Sequence, residues 1–122
     1  MALKRIRLEL ARAPEAPEGN PYCGYEFTAP LDKKGRLDPK QWAYDKDKCT
    51  VRRFWNSTTD EHGKLSHHRG SDCVFAWPGG EADDEPIFRF DKHTFVGGEY
   101  ISVTEHDGVA RPFRIVSVNP IG

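Results

Sequence analysis

The chain has 122 residues, of which 37% are hydrophobic, 30% charged and 11% aromatic, and its formal charge is −1. That length suits a single domain, residues 1–122, with a real core and no room for a separate regulatory domain. A mean hydropathy of −0.72 leaves no apolar run near the ~20 residues that span a bilayer, and seven Phe, four Tyr and three Trp are more large apolar groups than a wholly disordered chain carries.

The basic start, Met1 to Arg7, is interrupted by Glu9 and Arg12 before a signal-peptide core can develop, which predicts a cytoplasmic protein without a membrane partner. Cys23, Cys49 and Cys73 are odd in number and widely spaced, so reduced thiols are expected. Charge is unevenly spread: residues 1–55 carry a net +4 and residues 56–122 a net −5. This balance disfavours a dedicated nucleic-acid binder, whose affinity comes from neutralising phosphates.

Residues 4–11 alternate, with Ile6, Leu8 and Leu10 on one face, and read as a half-buried strand. A Pro-rich surface loop follows at 13–21. Tyr25, Phe27 and Ala29 form a second strand limited by Pro30, and Asp32-Lys33-Lys34-Gly35 is a turn. Asp38-Pro39-Lys40-Gln41 predicts a short helix near 39–46: Asp38 caps, Pro39 suits the first position and Gln41 completes a capping box.

Beyond Cys49 the signals are those of strands. Cys49, Val51, Arg53 and Trp55 share one face, and Thr50, Arg52 and Phe54 the other. Ser57 to Gly63 reads as a polar loop, and Lys64–His68 and Cys73–Trp77 as a hairpin turning at Gly70-Ser71. An acidic loop spans 79–85. Further strands fit 86–91, 99–105 and 111–118, with Asp107-Gly108 turning between the last two. Some eight short strands at roughly 8–12-residue spacing predict a mainly β single-domain small barrel or compact sandwich.

The stretches Gly24–Leu31, Cys49–Trp55 and Gly98–Val103 resemble a family of small uncharacterised bacterial proteins, and the likeness runs along most of the chain. No activity attaches to that family, so the resemblance implies no functional residue. Gly98 to Val118 is similar to a segment of SH3-like and PUA-like small barrels, in which a glycine precedes one strand and a second glycine turns into the next. RNA binding is what the PUA-like resemblance implies, and fold-level analogy by itself establishes no function.

Two constellations carry chemistry. A two-residue turn at Gly70-Ser71 would place His68 opposite Cys73, with Cys49 arriving from the neighbouring strand. Cys49, His68 and Cys73 would suit tetrahedral zinc, with His62, His67, His93, an acidic side chain or water as fourth ligand. The absence of any Cys-x-x-Cys or His-x-x-x-His pair favours ordinary buried core cysteines instead. The same pair would also permit a Cys–His nucleophile, although Asp72 is better placed to pair with Arg69 than to orient a base.

The second constellation is the basic and aromatic run Arg52-Arg53-Phe54-Trp55, with Lys46 and Lys48 upstream. Cations beside stacking rings are the chemistry of single-stranded nucleic-acid binding. Arg52 and Arg53 nevertheless point to opposite faces of a strand, and Trp55 can be covered by the Arg53 stem. The expectation is therefore a non-enzymatic binding or interaction module, with Arg53 and Trp55 as candidate ligand-binding residues and a protein or small anion as partner. A zinc protein and a small RNA-binding barrel are the alternatives.

Overall fold

The computed structural model describes residues 3–12, 17–56, 58–67, 73–77, 85–87, 94–105 and 108–121. Its strands are β1 (Leu3–Leu10), β2 (Asn20–Pro30), β3 (Thr50–Trp55), β4 (Glu61–His67), β5 (Cys73–Ala76), β6 (Glu85–Ile87), β7 (Tyr100–Thr104) and β8 (Ala110–Pro120). Each pairs antiparallel with the next, and β8 returns to β1, so that the sheet closes into a barrel. Among the described residues no helix is long and apolar enough to cross a membrane.

Closure follows from the alternation. In β1, Ile6, Leu8 and Leu10 are buried, and in β2 Cys23, Tyr25, Phe27 and Ala29 turn inward opposite them. Val51, Leu65, Phe75, Val103, Phe113 and Ile115 continue the ring from β3, β4, β5, β7 and β8. An eight-stranded barrel has an interior that side chains just fill, and here aromatic rings fill it. Tyr25 lies 4.8 Å from Phe75 and 5.2 Å from Phe113 between centroids, the second contact edge-on.

The wall is uneven. β1 and β8 pair over seven registered positions, whereas β6 meets β7 through the single described pair Ile87↔Val103.

The helix α1 (Pro39–Asp45) and a 3-10 turn, Lys46–Lys48, close one end. Asp38 caps α1 as its sequence position predicts, its side chain accepting from the Lys40 and Gln41 amides. The reciprocal half of the capping box does not form. Gln41 instead donates forward to the Asp45 carboxylate, one helical turn on, while the Asp38 amide donates to Pro30 O. Trp42 anchors the helix by donating from Nε1 to Leu65 O at 3.0 Å. The turn at Asp32 forms as expected, with Gly35 at φ +81° and its amide donating to Asp32 O. Phe95 crosses the same end, its amide bonded to Gly35 O and its ring 6.0 Å from Phe27.

Several boundaries differ from the sequence reading. The loop expected at 13–21 ends earlier, since Asn20 and Pro21 already belong to β2, and residues 13–16 lie outside the described ones. Pro21 is tolerated because the chain bulges there: Glu9 pairs with Gly24 but Leu10 with Asn20, which leaves three β2 residues without a β1 partner. Glu61 to Gly63 form the start of β4 rather than a loop, because Gly63 and His62 pair with Val51 and Arg52. Of the acidic loop expected at 79–85, Glu85 starts β6 and the remainder is outside the described residues. Phe88 and Phe90 lie outside them too.

The β4–β5 register is also corrected. His67, not His68, pairs with Cys73, and Leu65 rather than Ser66 faces Phe75. The physical reason is burial. A slip of one residue exchanges the two faces of a strand, and this register puts Leu65 and Phe75 together in the core. The turn expected at Gly70-Ser71 lies outside the described residues.

Gly24 shows how tightly the wall is drawn. A Cβ added there would lie 1.9 Å from Leu8 O and 3.0 Å from the Phe54 ring, whereas one added at Gly97 meets nothing within 4 Å. Gly24→Ala is expected to lower the unfolding free energy in urea by about 1–3 kcal/mol, the range for overpacked sites, with Gly97→Ala within about 0.5 kcal/mol of the parent.

Candidate functional site

Two sets of arginines stand out, distinguished by whether they bind a carboxylate of the chain among the described residues. Arg53 faces inward beside Tyr25, its cross-strand partner, and reaches Glu105 just beyond the end of β7. Glu105 Oε2 accepts from Tyr25 OH at 2.7 Å, from Arg53 Nε at 3.2 Å and from Arg53 Nη2 at 3.1 Å. Its Oε1 accepts from Arg111 Nη1 at 3.2 Å. Arg53 Nη1 also reaches Glu61 at 3.4 Å.

The Glu105 side chain is only 2% exposed, and those of Arg53 and Arg111 17%. A charge so deeply buried persists because it is paired and hydrogen-bonded. Burial acts to lower the Arg53 pKa, but Tyr25 and Glu105 outweigh it and the guanidinium is held above its ordinary value. The network therefore plugs the barrel end opposite α1.

Trp55 sits beside it, half-buried against the core, with Arg53 Cζ 4.2 Å above its ring centroid. The sequence predicts the Arg53 stem over Trp55; it is the guanidinium that lies over the ring. Both candidate ligand-binding residues are in one place, and there the Arg53 charge is met by Glu105 and Glu61.

Arg52 points outward, and with Arg7 it encloses Phe54. The guanidinium carbons lie 5.0 and 4.3 Å from the ring centroid, and the pair buries the ring on the outer face of the barrel. Both cations are engaged as well. Arg52 binds Asp60 at 2.8 Å and Glu26 at 3.6 Å, while Arg7 binds Glu9 at 2.8 Å and Glu26 at 3.6 Å. The basic and aromatic strand is thus a neutralised, stacked surface.

The other group lines a cleft of about 580 Å³ on the outside of the barrel, where β1 and β2 part beside β8 and β7. The irregular β1–β2 register creates it, and Gly19 fixes its edge with a positive φ and no space for a Cβ, which would lie 2.6 Å from Leu10 O. Asn20 stiffens that edge: its amide donates to Asn56 at 3.1 Å and its carbonyl accepts from the Tyr22 amide at 2.9 Å.

Arg12 and Arg114 line the cleft, both exposed, and among the described residues neither forms an ion pair. Arg114 stands in register between Glu9 on β1 and Tyr100 on β7. Glu9 is bound by Arg7, and Tyr100 is 58% exposed. The sequence reading missed this site, since Arg12, Tyr100 and Arg114 are far apart in the chain and form no motif. The one local signal was Asn20-Pro21 interrupting an otherwise strand-like run.

Of the candidate metal ligands, Cys49 is fully buried just before β3, its carbonyl accepting from the Leu65 amide at 2.8 Å. His68 lies outside the described residues, and of Cys73 only the strand backbone is described. His93 is likewise outside them, while His62 is an exposed residue of β4 opposite Arg52. Among the described residues no group of three or more His, Cys, Asp or Glu is placed to hold a metal. Burial, assisted by the Asp45 charge, pushes the Cys49 thiol up to about 11. Thiol rather than thiolate is thus its form near neutrality, and thiolate is the form that binds metal or attacks carbon. Cys23, also buried, has its pKa raised chiefly by desolvation.

No family model, curated protein or solved structure matches this chain.

Two outcomes follow from this geometry. Glu105→Ala removes the anion that Arg53 and Arg111 share and is expected to cost about 3–5 kcal/mol in urea unfolding, the range for one lost partner of a buried pair. For Cys49 the folded pKa lies above the unfolded one, so its contribution is complete below about pH 8.5 and is lost as pH rises toward 11. Between those pH values wild-type stability should fall by about 2 kcal/mol more than that of Cys49→Ala, measured as the difference between two alkaline denaturation series.

Proposed function

We propose that the protein is a non-enzymatic binding module that takes a small anionic ligand in the outer cleft between Arg12 and Arg114. The observation that carries this reading is the contrast in charge pairing. Arg7, Arg52, Arg53 and Arg111 each bind a carboxylate of the chain, whereas Arg12 and Arg114 line a cleft and bind none among the described residues. Unpaired guanidiniums in a concave site are forks for an incoming oxyanion. The cleft volume falls within the range of about 300–1,000 Å³ typical of small-molecule sites.

The same contrast weighs against Arg53 and Trp55 as the primary ligand contacts. An anion at that end of the barrel would have to displace Glu105 from three donor groups. It also weighs against nucleic acid on β3, where the cations are already neutralised.

Titration with inorganic phosphate tests the reading. Phosphate should bind saturably and raise the melting temperature by mass action, more weakly as salt is added. Arg12→Gln combined with Arg114→Gln should abolish the saturable part, and Lys40→Gln, an exposed cation on α1, should leave it unchanged. A response equal in all three proteins would refute the assignment.

A further inference from the structure

We infer that the outer cleft recognises a phosphomonoester carrying a flat heteroaromatic ring and hydroxyl donors, the chemistry of a nucleoside monophosphate. This inference rests on the cleft being an anion site and adds the class of anion. Three features of the lining lead to it.

The first is the number and placement of the cations. Arg114 projects from β8, and Arg12 follows the end of β1, so they approach from two walls rather than from one strand. A carboxylate offers two oxygens and one charge. A phosphomonoester offers three terminal oxygens and a charge of roughly −1.5 to −2 at neutral pH, which two separate guanidiniums can share.

The second feature is Tyr100. It is the cross-strand partner of Arg114, so their Cβ atoms are about 4.5–5.5 Å apart, and the residue lines the cleft and is 58% exposed. An exposed aromatic face beside a phosphate-binding cation is a platform on which a base stacks. An inorganic ion or a simple sugar phosphate would leave that face unused.

The third feature is the carboxylates. Glu9 lies in the cleft but is held by Arg7 at 2.8 Å, which offsets its repulsion toward an anion. Glu18, which also lines the cleft, is an exposed acceptor without an ion-pair partner among the described residues. A pure polyanion would be repelled by it, whereas a ligand with hydroxyl or amino donors beyond its phosphate would be oriented by it. The cleft thus offers two cations for a phosphate, one ring for a base and one acceptor for a ribose hydroxyl or exocyclic amine.

The test is a calorimetric comparison of adenosine monophosphate, ribose 5-phosphate, adenosine, inorganic phosphate and acetate on the full chain at low salt. Adenosine monophosphate should bind at least tenfold more tightly than ribose 5-phosphate or inorganic phosphate, with adenosine and acetate weaker still. Tyr100→Ala should weaken the nucleotide about tenfold and leave inorganic phosphate unchanged, whereas Arg114→Gln should weaken both. These side chains are exposed, so the variants are expected to fold, and their melting temperatures verify this.

Inorganic phosphate binding as tightly as the nucleotide, or Tyr100→Ala having no effect on the nucleotide, would overturn the ligand class and leave the anion site standing. Binding of none of the anions, or nucleotide binding indifferent to Arg114→Gln, would overturn the anion site itself.

Discussion

Closing eight antiparallel strands on themselves is the constraint from which the rest of this structure follows. Once β8 pairs with β1, the interior has a fixed width, and Tyr25, Phe75 and Phe113 fill it in mutual contact. Closure leaves neither of the long strands β1 and β8 as a free edge open to edge-to-edge association. The two open ends remain, and they are sealed by different means. One end is covered by apolar residues and α1, with Trp42 tied to Leu65 O and Phe95 against Phe27. The other is sealed by charge, with Glu105 holding Tyr25, Arg53 and Arg111 at once.

Sealing an end with ions has a particular energetic character. A buried ion pair gains little net free energy over a well-packed apolar plug, because desolvation offsets much of the attraction. Removing one member is nonetheless costly, since the others stay buried without a partner. The Glu105 network therefore specifies more than it stabilises: Tyr25, Arg53, Arg111 and Glu105 lie on or beside β2, β3, β8 and β7, and a slip of any one strand would break the arrangement. That role suits a barrel whose β6–β7 seam is a single described pair, where backbone bonding alone fixes the register least.

What the sequence revealed and what it hid divide along the range of the interactions. The barrel strands were legible because each buries one face, and Ile6, Leu8 and Leu10 or Tyr25 and Phe27 then alternate visibly. Asp38 was legible as a cap because capping is settled within four residues, and the stacking of Arg53 on Trp55 because two positions apart on a strand share a face. The partners of Glu105 were not legible, lying 52 and 80 residues away at Arg53 and Tyr25. Nor was the β4–β5 register, since Gly-Ser looks like a turn whatever the core demands. The outer cleft was the least visible of all. It arises from a mismatch between β1 and β2, and no side chain announces a mismatch.

That mismatch also explains why the site lies outside the barrel. Among the described residues aromatic rings fill the interior and side chains cover both ends, unlike wider barrels whose centres stay open. On the outer wall, registered pairing brings Arg52 and Arg7 alongside Glu26, and each cation finds an anion at the expected cross-strand distance. Regular pairing thus tends to neutralise the surface it creates. Where the register breaks, at Leu10 and Asn20, the rows no longer match and the wall opens into the cleft, and there Glu9, the cross-strand partner of Arg114, is bound by Arg7 instead. The irregularity that leaves three β2 residues without a β1 partner thus opens the cleft in which Arg12 and Arg114, unlike Arg7 and Arg52, bind no carboxylate among the described residues.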